Sequence, residues 1–246
     1  MKKLFLFCRA LLFPIGKLLF PCKVMDKDKY KKYGRGQLII SNHLSWMDIS
    51  YQVFSIPGYK RFLSKKENDG GKLQKWFLHN IGVIFVNREK PELSSMRECV
   101  GALKSGETLS VFPEGTRNRV NREIMEMHSG AALFALKGEA SVVPVVVHHK
   151  GKLFKRNYIG VGDPVVLDDL YGKRVDGAIL DEATRRFRRS MEETLEKLDK
   201  WVDAKGYKTE RRAVKQRKRA KKLEAKRLNK QYKLAKKDHV KGANSK

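Results

Sequence analysis

Apolar and polar positions change their spacing several times along this chain, and each change marks an element. Residues 4–22 are mostly Leu, Phe, Ile and Pro, interrupted by Arg9 and Lys17. At about 100° per residue, Lys2, Lys3, Arg9 and Lys17 fall within about 120° of one another, while Leu4, Leu11, Ile15 and Leu18 gather opposite. This is the pattern of a helix lying in a membrane interface, bent at Pro14. A span is disfavoured, because each of the two charges costs about 2.5 to 3.5 kcal/mol near a bilayer centre. A secretory signal is a competing reading, against which Arg9 splits the apolar run and no small-x-small cleavage site follows. A helix that only packs on a core is the other.

After a polar link at 26–35, Gly36-Gln37-Leu38-Ile39-Ile40 reads as a short buried strand. Ser45, with Asp48 three residues on, is a capping-box pattern; it opens a helix that carries Ile49, Val53 and Phe54 and ends near Pro57-Gly58. A strand is expected at 61–64, and the turn Asn68-Asp69-Gly70-Gly71 leads into a helix with Leu73, Trp76 and Phe77. The unbroken apolar run 81–86 is that of a buried strand. A helix over 93–104, with Met96, Val100 and Leu103 on one face and Gly106 closing it, precedes a strand at 108–112. A small-residue helix at 130–136 precedes the strand 142–147, whose internal Pro144 predicts a sheet edge or a bulge. Two short strands are expected at 157–161 and 164–167. From Leu180 the spacing through Thr184, Phe187, Met191, Leu195, Leu198 and Val202 is helical, with Asp181 and Glu182 in the first turn. Strands alternating with helices give an α/β fold: a single domain with a mixed, mostly parallel sheet flanked by helices and its site at the carboxyl ends of the strands. The chain divides into an N-terminal segment 1–25, a domain 26–204, and a tail 205–246 too poor in apolar residues to pack, helical in part or disordered.

Composition adjusts this picture in two ways. With 246 residues, 41% of them hydrophobic, the chain can bury one sizeable core with extensions and does not require a second domain. Its charge is uneven: residues 205–246 hold 18 Lys and Arg against 3 acids, which leaves +12 of the formal +27 to residues 1–204. Both parts attract anions, so membrane lipid, nucleic acid and a phosphate-bearing substrate all remain open. Cys8, Cys22 and Cys99 are odd in number and lack metal-type spacing, which indicates a reducing compartment. His148 and His149, adjacent on a strand, would point to opposite faces and make a poor metal pair, and no metal is expected.

The candidate chemistry lies at strand ends. His43 sits in the turn between a strand and a helix. Asp48, near the start of that helix, leans back toward the turn because helical Cβ atoms point N-terminally. A carboxylate on one ring nitrogen fixes the tautomer and leaves the other to take a proton from an alcohol or water. The plainer reading is that Asp48 only caps the helix. Arg88 follows the run 81–86, and Glu114 and Arg117 follow the strand 108–112. Together they describe a base beside guanidinium groups whose planar fork suits phosphate oxygens.

Four stretches in this order resemble the 1-acyl-sn-glycerol-3-phosphate acyltransferase (lysophospholipid acyltransferase) family. They are Asn42-His43-Leu44-Ser45-Trp46-Met47-Asp48, a His-x4-Asp motif; Gly82-Val83-Ile84-Phe85-Val86-Asn87-Arg88; Phe112-Pro113-Glu114-Gly115-Thr116-Arg117; and Val142-Val143-Pro144-Val145. The resemblance covers about residues 37–165 and implies a glycerol-3-phosphate acyltransferase-like fold. It implies acyl transfer from acyl-CoA or acyl-acyl carrier protein, without a cofactor, to the free hydroxyl of a lysophospholipid. By the resemblance His43 is the general base and Asp48 orients it, Arg88, Glu114, Gly115, Thr116 and Arg117 bind the glycerol-phosphate end, Pro144 shapes the pocket around the acyl chain, and Cys99 is not needed as a nucleophile. Related enzymes that acylate glycerol-3-phosphate, ornithine lipids or other lysolipids share the His-x4-Asp pattern. The expected location is the cytoplasmic face of the cell membrane, peripheral or monotopic, on an anionic surface. A nucleic-acid reading of the tail has only its charge to support it, since stacking aromatics there are limited to Tyr207 and Tyr232, and no specific nucleic-acid partner is expected.

Overall fold

Parallel strands need crossovers of a dozen or more residues, and the helices expected between strands supply them. In the computed structural model of the protein, the described residues are 1–30, 36–65, 71–87 and 92–204. The elements are α1 (Lys2–Leu19), β1 (Cys22–Met25), a short 3₁₀ turn (Lys27–Lys29), β2 (Gln37–Ile40), α2 (Met47–Ser55), β3 (Arg61–Lys65), α3 (Lys72–Asn80), β4 (Val83–Val86), α4 (Leu93–Lys104), β5 (Thr108–Val111), α5 (Gly130–Gly138), β6 (Ser141–Val147), β7 (Asn157–Val161) and α6 (Gly177–Ala204). Met1–Asp199 form one compact unit and Lys200–Lys246 a second, of which residues 200–204 complete α6. The expected tail 205–246 lies outside the described residues.

The sheet has seven strands in the order β1-β7-β6-β2-β5-β3-β4. All its pairings are parallel except β6 with β7, so β1 and β7 run against the other five. The steps β2 to β3 and β3 to β4 go one way across the sheet, and β4 to β5 and β5 to β6 go back. With right-handed crossovers, α2 and α3 therefore lie on one face and α4 and α5 on the other. Side-chain alternation matches: Leu38 and Ile40 pack in the cluster with Leu103, Ala135 and Phe187, and Ile39 in the opposite cluster with Tyr51 and Val145.

The structure departs from the sequence expectations in four places and settles a fifth, Pro144, between its two alternatives. Residues 22–25, grouped by sequence with the N-terminal helix, form the edge strand β1, paired from Cys22↔Asn157 to Met25↔Gly160. Residues 164–167 are not a strand; Val165 makes an isolated antiparallel bridge to Val142. Of the two alternatives expected for Pro144, the bulge holds and the edge does not: it is in an interior strand and faces a bulge, since between Val145↔Val161 and Val142↔Val165 the three residues 162–164 stand against only 143 and 144. The Pro144 carbonyl accepts from Gly162 N–H. Its nitrogen lies on that same side, so the missing donor falls at the bulge and not on the ladder to β2. The helix expected from Leu180 starts at Gly177, where Asp176 Oδ1 accepts from Ile179 N–H at 3.0 Å. Asp181 and Glu182 therefore lie beyond its first turn, and Glu182 pairs with Arg186 at 2.7 Å. His148 and His149 follow the end of β6, so strand alternation does not separate them, and their Nδ1 atoms lie 3.1 Å apart.

Two ends needed more than pattern. At the end of α2, Ile56 is extended before Pro57, and buried Lys60 donates to the Ile56, Pro57 and Gly58 carbonyls at 2.8, 2.9 and 3.1 Å. Helix α1 packs on α2, with Gly16 against Phe54 and Arg9 Nε donating to the Val53 carbonyl at 2.7 Å. Arg9 thus faces the protein, while Phe7, Leu11, Ile15 and Leu18 are exposed. No helix among the described residues is long and apolar enough to cross a membrane.

Candidate active site

The turn after β2 and the turn after β5 lie side by side, because β2 and β5 are paired and both end at the same edge of the sheet. His43 Nδ1 is 3.0 Å from Asp48 Oδ2. The same oxygen accepts from the N–H groups of Leu44 and Ser45, each at 2.7 Å, and Ser45 Oγ donates to Asp48 Oδ1 at 3.0 Å. Asp48 is fully buried, and the His43 side chain keeps 17% of its surface. A buried carboxylate held by this many donors is fixed in place and in turn fixes the ring. Among the described residues the other ring nitrogen, Nε2, has no hydrogen-bond partner. Phe112, the first residue past β5, stacks on the imidazole at 4.1 Å between centroids and 20° between planes.

The peptide of His43 is gripped from both sides. Its N–H donates to Glu114 Oε2 at 3.4 Å, and its carbonyl accepts from Asn118 N–H at 2.7 Å. Glu114 Oε1 accepts from Met125 N–H at 3.4 Å. Glu114 is 2% exposed, and burial pushes its carboxyl up to about 7, against the opposing pull of the two backbone N–H groups. With both oxygens turned to backbone N–H groups, Glu114 braces the His43 turn. Asn118 is committed as well: Oδ1 accepts from Val120 and Asn121 N–H at 3.1 Å each, and Nδ2 donates to Asn121 Oδ1 and the Glu123 carbonyl. Asn42 joins the third strand end, its amide exchanging two bonds with Val147 at 2.9 and 2.7 Å as a further rung between β2 and β6.

The β5 turn itself needs glycine. Gly115 has φ +67°, and a Cβ there would stand 2.6 Å from the His128 ring. Thr116 and Arg117 are exposed beyond it. Arg122, further along the loop, is held by Asp199 at 2.5 and 2.8 Å. Arg88 lies outside the described residues. Behind Phe112 and Gly115 is a largely apolar pocket of about 480 Å³, lined by Leu63, Val86, Met96, Ala131 and Phe134 among others, with His128 at its wall. Pro144 is not among its lining residues. Its ring lies toward Gly162, the glycine against which Thr194 of α6 also packs, because the bulge turns it that way. Cys99 is buried and its thiol is pushed up to about 12, which disarms it as a nucleophile. The residues that sequence reasoning passed over, Phe112 as a ring support, Asn118 and His128, had one usable signal among them: Asn118 stands in a polar run where an Asx turn is favoured.

The site thus combines an oriented imidazole, an exposed arginine and an apolar pocket. Comparison with known proteins bears on what it serves. A family model described as Acyltransferase matches residues 22–148. The 1-acyl-sn-glycerol-3-phosphate acyltransferase of Bacillus subtilis is 32% identical over 165 residues, 65% of this chain and 81% of that protein. The chloroplastic 1-acyl-sn-glycerol-3-phosphate acyltransferase BAT2 of Brassica napus is 30% identical over 62% of this chain and 45% of its own length. That of Helicobacter pylori is 30% identical over 48% and 51%. The chain therefore spans about half the length of several of the curated relatives it matches. The crystal structure of the 1-acyl-sn-glycerophosphate (LPA) acyltransferase PlsC from Thermotoga maritima has the same fold, with a TM-score of 0.58 at 23% identity over 78% of this chain and 81% of that one. The family match takes in β2 through β6 and every motif residue at their ends, and this chain belongs to the acyltransferase family.

Proposed function

We propose that this protein transfers a fatty acyl group from acyl-CoA or acyl-acyl carrier protein to the free hydroxyl of a lysophospholipid, 1-acyl-glycerol-3-phosphate, giving phosphatidic acid. The observation that carries the reading is the His43–Asp48 pair, with the ring fixed at Nδ1, part of it exposed, and Nε2 without a hydrogen-bond partner among the described residues. In this reaction the acceptor hydroxyl passes its proton to His43 Nε2 while its oxygen attacks the thioester carbonyl carbon. Collapse of the tetrahedral species breaks the carbon–sulfur bond, and the imidazolium returns the proton to the departing thiolate. The Asp48 carboxylate stabilises the transient imidazolium. Arg117, exposed on the turn that stacks against His43, suits the acceptor phosphate, and Arg88 of the second motif is its partner by the resemblance. The apolar pocket behind Phe112 suits an acyl chain. The outward apolar stripe of α1 suits a protein that meets its substrates at a membrane surface. The names of the relatives agree with this acceptor.

The test uses purified protein, radiolabelled 1-acyl-glycerol-3-phosphate and each donor in turn. Label should appear in phosphatidic acid, and His43→Ala should lower turnover by about 10²- to 10⁴-fold while remaining folded. Full activity in a folded His43→Ala protein would exclude the base. Equal use of uncharged monoacylglycerol by the wild type would exclude recognition of the acceptor through its phosphate.

A further inference from the structure

Helix α3 (Lys72–Asn80) contains no buried residue. Leu73, Trp76 and Phe77, spaced i, i+3 and i+4, are 78%, 61% and 41% exposed, so the apolar side of an amphipathic helix is turned outward. Half-buried Leu78 marks the side that meets the protein. Lys72, Lys75 and His79 lie within about 60° of one another beside the apolar stripe.

Helix α3 is on the same sheet face as α2, over which α1 packs. Ile81, which ends α3, packs in one cluster with Phe5 of α1, Tyr59 and Phe62. Helix α1 also turns its apolar residues outward, at Phe7, Leu11, Ile15 and Leu18. The two helices therefore present apolar stripes on the same side of the molecule, one bordered by lysines.

We propose that α3 is a second membrane-contacting element, setting Leu73, Trp76 and Phe77 into the interface of an anionic bilayer while Lys72 and Lys75 reach headgroup phosphates. Tryptophan favours that boundary, where its ring is apolar and its N–H is wet. Charge selects the bilayer over a second copy of the chain: two copies would bring like-charged lysines together on a protein of formal charge +27, whereas anionic lipid neutralises them. The inference rests on the reading that the acceptor is a membrane lipid.

The test compares full-length wild type with the triple variant Leu73→Ser, Trp76→Ser, Phe77→Ser on phosphatidylcholine vesicles containing phosphatidylglycerol, at salt high enough to screen the basic tail. The variant should partition roughly 10-fold or more weakly, from the loss of three apolar side chains, with turnover of detergent-dispersed acceptor unchanged. Lipids brominated in the acyl chain should quench wild-type fluorescence more than that of Trp76→Phe, a variant that keeps its bulk and decides the matter if the triple variant misfolds. Equal partition with equal quenching overturns the proposal. So does a triple variant that turns a dimer into a monomer while binding vesicles as before, which would make the surface a protein interface. Vesicle binding that depends on α3 in a wild type without acyl transfer would overturn the reaction assigned above and leave this surface standing.

Discussion

The Asp48 carboxylate holds His43 Nδ1 and, with the same oxygen, the N–H groups of Leu44 and Ser45. Orienting the imidazole and bracing the turn that leads into α2 are therefore one arrangement; the N-cap position of α2 is Trp46 and makes no side-chain cap, so the capping role read from sequence gives way to a brace on the turn before the helix. Consequently the two single-residue variants should part company in stability. His43→Ala should unfold in urea near the wild type, while Asp48→Ala, which leaves two backbone donors buried and unmet, should lose about 2 to 4 kcal/mol. Equal midpoints would show that water takes over these two N–H groups. Glu114 sets a pH dependence. Its folded value is raised to about 7 from an ordinary 4.5, so folding takes up a proton between those values. The stability it contributes is full below about pH 4.5 and is lost as pH rises through about 7. Glu114→Gln is neutral throughout, so the melting temperature of the wild type relative to this variant should be higher at pH 5 than at pH 8. No change in that difference would place the carboxylate in contact with water. His43 and Asp48 were legible because they are five residues apart and the turn between them is local. The Glu114 contact joins positions 71 apart, which no local spacing encodes.

Element types were legible wherever periodicity was long or the apolar run unbroken, as in α4, α6, β4 and β6. Ends and edges were less so. Gly82 shows why: the run 81–86 predicts a strand from its first residue, but Gly82 has φ +99° and a Cβ there would lie 2.2 Å from Tyr59 Oη, so the strand starts at Val83. Gly82→Ala should therefore destabilise by about 2 kcal/mol or more, from the strained backbone and the displaced tyrosine. Pro144 gives the contrasting expectation. Because its missing donor falls in the bulge and its ring lies outside the pocket, Pro144→Ala should change stability by less than about 1 kcal/mol. It should also leave the preference for acyl-chain length unchanged. Thermal unfolding of both variants, with turnover across donors of different length for the second, checks the pair. A shifted length preference would return Pro144 to the pocket.

At the scale of the whole molecule, the membrane binding proposed above has two sources that salt separates, the charge surplus of the tail and the outward apolar stripe of α1. A Lys or Arg near an anionic surface contributes about 1 kcal/mol and is screened over roughly 8 Å at physiological ionic strength, whereas apolar burial is not screened. Deleting residues 205–246 should weaken binding to anionic vesicles at low salt, have little effect at high salt, and leave turnover of detergent-dispersed acceptor near the wild-type rate. A truncated protein that binds vesicles as the full chain does but loses affinity for RNA or DNA would assign the tail to nucleic acid. By itself the sequence determined the α/β class, most strands and helices, the His43–Asp48 pair and the strand ends beside which the candidate site is built, because all of these follow from periodicity and neighbours a few residues apart. Tertiary structure alone decided that α1 turns Arg9 inward and its apolar side outward. It likewise decided that residues 22–25 close one edge of the sheet, and that Glu114 and Asn118 hold the His43 peptide from opposite sides. Each depends on which distant surface is left to pack against, and helical or strand spacing carries no record of that.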